Sequence, residues 1–207
     1  MGVLDKLTDE EAAAYIQEVA RDAEIVDLPC DPNAGMYADL TPSGNVGDVN
    51  STARGSGARF IAGKPKLEYI PMDVLRRVVN PGCGTDLYMV ALQVASFERR
   101  DSNHAAALAL AHVPEEHRWA STAAQFDFGA KKYAPFNWAK GMAWSIPLAC
   151  IKRHWLALAR GEEVDPESGV SHWGAIGCNL VMLVHFEAFY HEGDDRPPAS
   201  VFGGNAD

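Results

Sequence analysis

Two long apolar stretches constrain this chain more than anything else in it. Residues 145 to 160, SIPLACIKRHWLALAR, and the segment VSHWGAIGCNLVMLVHFEAFY are apolar on most faces and run for helical rather than strand lengths. Helices of that kind must be covered by other elements. The chain is therefore expected to be all-α, a helical bundle with an irregular N-terminal arm.

The remaining elements fit that class. Residues 5 to 23 form a predicted helix with Thr8 as N-cap and Glu11 completing a capping box, and its apolar positions suit docking or dimer formation. From Leu28 to Gly57 the chain is rich in Gly, Pro, Asn, Asp and Ser without a sustained period, which reads as an extended arm or linker. Pro71 starts a helix with Val74, Leu75, Val78 and Val79 as its buried stripe, and residues 85 to 100 and 103 to 124 read as two more, the second interrupted near Pro114. The division expected is 1–56 for helix and arm, 57–190 for the helical domain and 191–207 for a tail.

Charge narrows the partners. With 18 Lys and Arg against 28 Asp and Glu, the formal charge of -10 argues against nucleic acid and anionic membrane surfaces as partners. No run of about eighteen apolar residues occurs, and the first residues carry neither a basic nor an apolar leader region, so a cytoplasmic protein is expected. Cysteines 30, 83, 150 and 178 show no CxxC spacing and are read as reduced core thiols. GSGARF and GCGTDL both lack the third glycine of a dinucleotide fingerprint, so both are read as turns. His104, His112 and His117 do not share a helical face and are read as surface or core histidines.

Chemistry-bearing residues cluster elsewhere. Lys64 and Lys66 flank Pro65, a rigid turn that holds two ammonium groups toward phosphate or simply exposes them to solvent. In FGAKKYAPFNW, Gly129 permits a bend, Lys131 and Lys132 pair their charge, and Tyr133, Phe136 and Trp138 offer flat apolar surface. That combination suits a nucleotide, or a loop anchored by aromatics. Lys152, Arg153 and His154 interrupt an apolar helix and spread over about 200° of it, so at least one faces inward and needs an acidic or phosphate partner. Glu162, Glu163, Asp165 and Glu167 crowd one turn, GEEVDPESGVSH, which is either an exposed acidic connection or a magnesium site completed by substrate phosphates. Ser168 or Ser171 caps the next helix. On it, His172 and Asn179 lie within about 20° of one face, Asn179 amid apolar neighbours that leave it in need of hydrogen-bond partners.

Three blocks in order, GARFIAGKPKLEYIP, FGAKKYAPFNWAKG and RHWLALARGEEVDPESGVSHWGAIGCN, resemble the phage dATP/dGTP diphosphohydrolase N-terminal domain family over roughly residues 57 to 190. That family is similar in activity to the all-α MazG-type pyrophosphohydrolases. The resemblance implies Mg²⁺-dependent hydrolysis of purine deoxynucleoside triphosphates to monophosphate and pyrophosphate, adjusting the dNTP pool of an infected cell in the host cytoplasm. Such chemistry needs water delivered to the α-phosphorus, carboxylates for the metal and cations for the leaving group.

Carried onto these residues, it implies Glu163, Asp165 and His172 as catalytic, and Glu162, Glu163, Asp165 and Glu167 as metal ligands. Lys64, Lys66, Lys131, Lys132, Asn137, Trp138, Arg153, His154 and Asn179 are the implied substrate contacts. The position three residues after His172 is Ala175, where relatives place a second histidine, and the clean ExxE and ExxD pairs of MazG-type enzymes are not found in this block. A nucleotide-binding or interaction protein without turnover is the alternative, followed by a virion or scaffold component. A helical-bundle homodimer or higher oligomer is the expected assembly.

Overall fold

The computed structural model describes residues 45–79 and 84–202. The predicted helix at 5–23 and most of the expected arm lie outside the described residues, as do Cys30 and Cys83. Seven α-helices are found among the described residues: α1 Met72–Val78, α2 Thr85–Arg99, α3 Ala105–Ala111, α4 Glu115–Arg118, α5 Ala120–Tyr133, α6 Ser145–Ala159 and α7 His172–Phe189. Two short strands, β1 Asn45–Val46 and β2 Arg59–Phe60, pair antiparallel. The all-α bundle expected from the sequence is the fold observed.

Helix α7 is its axis. Its residues from His172 to Phe186 are largely buried, with Ile176, Leu180, Leu183 and Phe186 almost wholly so, and it packs against α3, α4, α5 and α6. A helix apolar on all sides is stable only when neighbours cover every side. Gly174 and Gly177 set how close one neighbour comes. A Cβ at Gly174 would sit 2.4 Å from the Ser121 carbonyl oxygen, and one at Gly177 2.1 Å from Thr122 Oγ1. Helix α5 thus rests directly on the backbone of α7, and any side chain at either glycine would force the two apart.

Helix α6 crosses α7 on another side and buries Leu148, Ile151 and Trp155. Its start is capped by the tail: Asp195 Oδ1 accepts from Ser145 N at 2.8 Å and Oδ2 from Ser145 Oγ at 2.6 Å. Ser145 is therefore the first helical residue rather than the N-cap expected from sequence. Ser171 does cap α7, accepting from Trp173 N at 3.3 Å. The break near Pro114 is also as expected, with α3 ending before it and α4 starting after it.

Two local readings are corrected. Residues 126–133 are helical, so Gly129 makes no bend: α5 runs through it to Tyr133. The stretch 45–57 is no free arm, because Gly55 N donates to Lys140 O at 2.6 Å, Gly57 N to Gly141 O at 2.9 Å, and Arg54 pairs with Glu192. In the expected tail, the Arg196 guanidinium packs on the body, 4.2 Å from the Phe97 ring centroid and 4.7 Å from that of Trp144.

Candidate functional site

Between the β1–β2 hairpin, α5, α6, α7 and the acidic loop lies a cavity of about 450 Å³, within the size range of small-molecule sites. The hairpin brings Arg59, Phe60 and the following Lys64 to its wall; α5 brings Phe126 and Lys132; α6 brings Cys150 and His154; the loop brings Asp165 and Glu167.

Arg59 is the central cation, and the sequence reading missed it. It is partly buried, and none of its acceptors is a carboxylate: Asn179 Oδ1 at 2.9 Å, Cys150 Sγ at 3.2 Å and Met182 Sδ at 3.9 Å. A guanidinium so placed retains donor capacity for an anion. The clue in the sequence was Asn179, whose need for a partner was legible while the partner was not. Asn179 does not line the cavity. Its Nδ2 donates to Ala175 O at 2.8 Å, which turns its oxygen toward Arg59.

Two lysines stand on one carboxylate. Glu167 accepts from Lys64 Nζ at 3.1 Å and Lys132 Nζ at 2.5 Å. Burial opposes its ionisation, but the two ammonium groups outweigh that and hold its carboxyl at about 2. Lys132 also lies 5.3 Å from the Phe60 ring centroid. In another part of the wall, Phe126 and Trp138 have centroids 5.2 Å apart, and Phe136 stands at the rim, 76% exposed.

The acidic loop is a built turn. Asp165 Oδ1 accepts from Glu167 N at 3.1 Å and Oδ2 from Ser168 Oγ at 2.8 Å, while Asp165 N donates to Val170 O at 2.9 Å. This geometry sends Asp165 and Glu167 to the cavity and the other two carboxylates elsewhere. Glu163 is exposed, and its backbone oxygen accepts from His172 N at 3.0 Å. Glu162 Oε1 faces His172 Nε2 at 3.4 Å. Glu162 and Glu163, implied as metal ligands and Glu163 also as catalytic, are thus placed outside the cavity lining, and among the described residues no three His, Cys, Asp or Glu side chains converge as a metal cage.

The histidines form a chain into the cavity. His172 is buried outside the cavity lining, and its Nδ1 lies 2.8 Å from Nδ1 of His154, which lines the cavity. Burial drives the His154 proton affinity well below the usual imidazole range; Asp165 opposes this, and the His172 ring with Arg153 and Arg59 reinforces it. His154 is therefore neutral and offers phosphate no cation.

Several other implied contacts are placed elsewhere. Lys131 pairs with Asp127 at 2.6 Å on the exposed side of α5. Lys66 faces a smaller groove with Arg153, which donates to Cys150 Sγ at 2.8 Å and Pro65 O at 3.4 Å. Asn137 lines the cavity but commits its amide to Ala58, with Nδ2 donating to Ala58 O at 2.9 Å and Oδ1 accepting from Ala58 N at 3.2 Å. It locks the hairpin through one bond at each amide atom. The inward cation of α6 is Lys152, not Arg153, and Glu98 satisfies it. Cys150 and Cys178 are free and buried, as expected. Burial pushes the Cys178 thiol up to about 12, whereas at Cys150 the charges of Arg59 and Arg153 overcome burial and bring it below its ordinary value.

Residues 98–196 match the family model for the dATP/dGTP diphosphohydrolase, N-terminal. The match bears out the resemblance over the end of α2 through α7 and includes the acidic loop; Arg59 and Lys64 precede it. Neither a curated protein nor a solved structure matches the chain. Among the described residues, no helix is long and apolar enough to cross a membrane.

Proposed function

We propose that this cavity binds a purine deoxynucleoside triphosphate and that the protein hydrolyses it to the monophosphate and pyrophosphate. One observation carries the reading: a single cavity gathers Arg59, Lys64 and Lys132 beside Asp165 and Glu167, and presents Phe126, Trp138 and Phe136 as aromatic surface. The cations suit a polyphosphate and the rings suit a base. The family match supports the reaction type, since its name is that of a dATP/dGTP diphosphohydrolase.

Asp165 and Glu167 fit a magnesium ion held largely by substrate. Each Asp165 oxygen accepts one hydrogen bond and keeps a second acceptor site. Mg²⁺ is commonly held by one or two carboxylates with phosphates and waters completing its shell, so a preformed cage is unnecessary. When bound, it would neutralise phosphate charge and lower the pKa of a coordinated water. Arg59, oriented by Asn179, grips the phosphate chain, while Lys64 and Lys132 pass from Glu167 to the departing pyrophosphate as charge builds there.

The test is incubation with each deoxynucleoside triphosphate and Mg²⁺, with pyrophosphate, phosphate and triphosphate resolved. Pyrophosphate with dAMP or dGMP, lost in Asp165→Ala, is expected. Triphosphate release would overturn the reaction, and tight binding without turnover would identify a nucleotide-binding protein instead.

A further inference from the structure

His154 Nδ1 and His172 Nδ1 lie 2.8 Å apart, so one must donate and the other accept. The far side of His172 decides which. His172 Nε2 is buried without a hydrogen-bond partner and lies 3.4 Å from Glu162 Oε1. A bare lone pair there would face an anion, whereas an N–H faces an acceptor that a small rotation of the exposed Glu162 side chain brings into range. With the His172 proton on Nε2, its Nδ1 carries the lone pair and accepts from His154 Nδ1–H. A neutral imidazole has one ring proton, so His154 Nε2 is then bare. His154 lines the cavity wall along with Asp165, which acts on the ring through space.

We infer that Glu162, acting through His172, fixes His154 as the Nδ1–H tautomer, so that His154 Nε2 is the base that takes the proton of the attacking water. The inference rests on the triphosphate reading. The water oxygen bonds to the α-phosphorus, the bond from that phosphorus to the bridging oxygen breaks, and its electron pair leaves with pyrophosphate. The water proton ends on His154 Nε2. His154 is a catalytic residue in this scheme; His172 and Glu162 are positioning residues that hold its tautomer, and Asp165 faces the positive charge it acquires.

Long-range ¹H–¹⁵N spectra of the full chain labelled at histidine test the tautomer without recourse to turnover. Wild-type protein should show His154 protonated at Nδ1 and bare at Nε2, and Glu162→Ala should shift the ring toward a mixture of tautomers. Protonation at Nε2 in the wild type would overturn the inference even if the protein proves to be a pyrophosphohydrolase. Kinetically, His154→Ala should lower kcat by about 100-fold with KM nearly unchanged, with partial rescue by added imidazole. Glu162→Ala should lower kcat by about 10-fold. A fully active His154→Ala variant would remove the base and leave the reaction standing.

Discussion

Lys152 Nζ lies 2.5 Å from Glu98 Oε1, with the lysine side chain wholly buried. The same ammonium donates to Leu67 O at 3.0 Å and Ile70 O at 2.6 Å, and Glu98 Oε2 accepts from Met72 N at 2.7 Å. The pair thus ties the segment before α1 to both α2 and α6. Removing one member leaves a buried uncompensated charge, so Lys152→Met should cost about 3–5 kcal/mol in urea unfolding. Replacing both members with apolar residues should recover much of that loss.

Glu167 neutralises the lysines that the proposed substrate requires. Glu167→Gln should therefore tighten metal-free binding of a deoxynucleoside triphosphate several-fold, on the order of 1 kcal/mol, while eliminating Mg²⁺-supported turnover. Titration calorimetry with and without Mg²⁺ checks both halves. If the variant bound metal-free nucleotide no better, the lysines would not be phosphate ligands.

Arg59 has no carboxylate among its protein acceptors. Arg59→Lys should weaken triphosphate binding by at least about 10-fold, because an ammonium cannot reproduce a planar fork of donors. Asn179→Ala should weaken it less, by freeing the orientation of Arg59. The bundle should be unaffected by Arg59→Lys, as the melting temperature will show.

Phe136 occupies left-handed backbone at φ 57°, next but one to Ala134 at φ 104°. A bulky residue there is strained by about 1 kcal/mol or more. Phe136→Gly should raise the melting temperature and weaken binding of purine nucleotides, an exchange of stability against binding that identifies the ring as part of the site. A stabilised variant with unchanged affinity would assign the strain to the turn alone.

Burial raises the Glu187 carboxyl to about 7, with Arg196 opposing and Asp194 adding to the shift. The unfolded chain loses this proton near the ordinary carboxylate value, so the folded state binds more protons between the two values. Stability from this group is full at low pH and falls as pH rises from about 4.5 to about 7. Glu187→Gln should therefore raise the melting temperature at pH 8 and change it little at pH 5.

The central helices were legible because α6 and α7 bury most of their faces and their apolar runs exceed any strand. The acidic loop was legible as a turn because Asp, Pro, Ser and Gly each favour one locally. What escaped was set by contacts distant in sequence. Arg59 sits in a stretch with no period, and only its approach to Asn179 and Cys150 gives it a role. Glu98 could not be assigned to Lys152, since nothing local to either residue reveals the other. Helix α5 outran its predicted end because Ala, Gln and Lys favour helix and one internal glycine costs only about 1 kcal/mol. The division of the four carboxylates was likewise hidden, because it depends on how the Asp165 turn aims each side chain.

The β1–β2 hairpin has little core of its own. It is fastened by Asn137 to Ala58, by Lys140 Nζ to the Asp48, Val49 and Ser51 carbonyls, and by Gly141 to Gly57. All three belong to the short segment between α5 and α6, and Arg54 with Glu192 and Phe60 N with the Tyr133 hydroxyl add ties to the tail and to α5. Arg59 thus reaches the cavity from outside the helical bundle, whereas the carboxylates facing it, Asp165 and Glu167, come from the loop between α6 and α7.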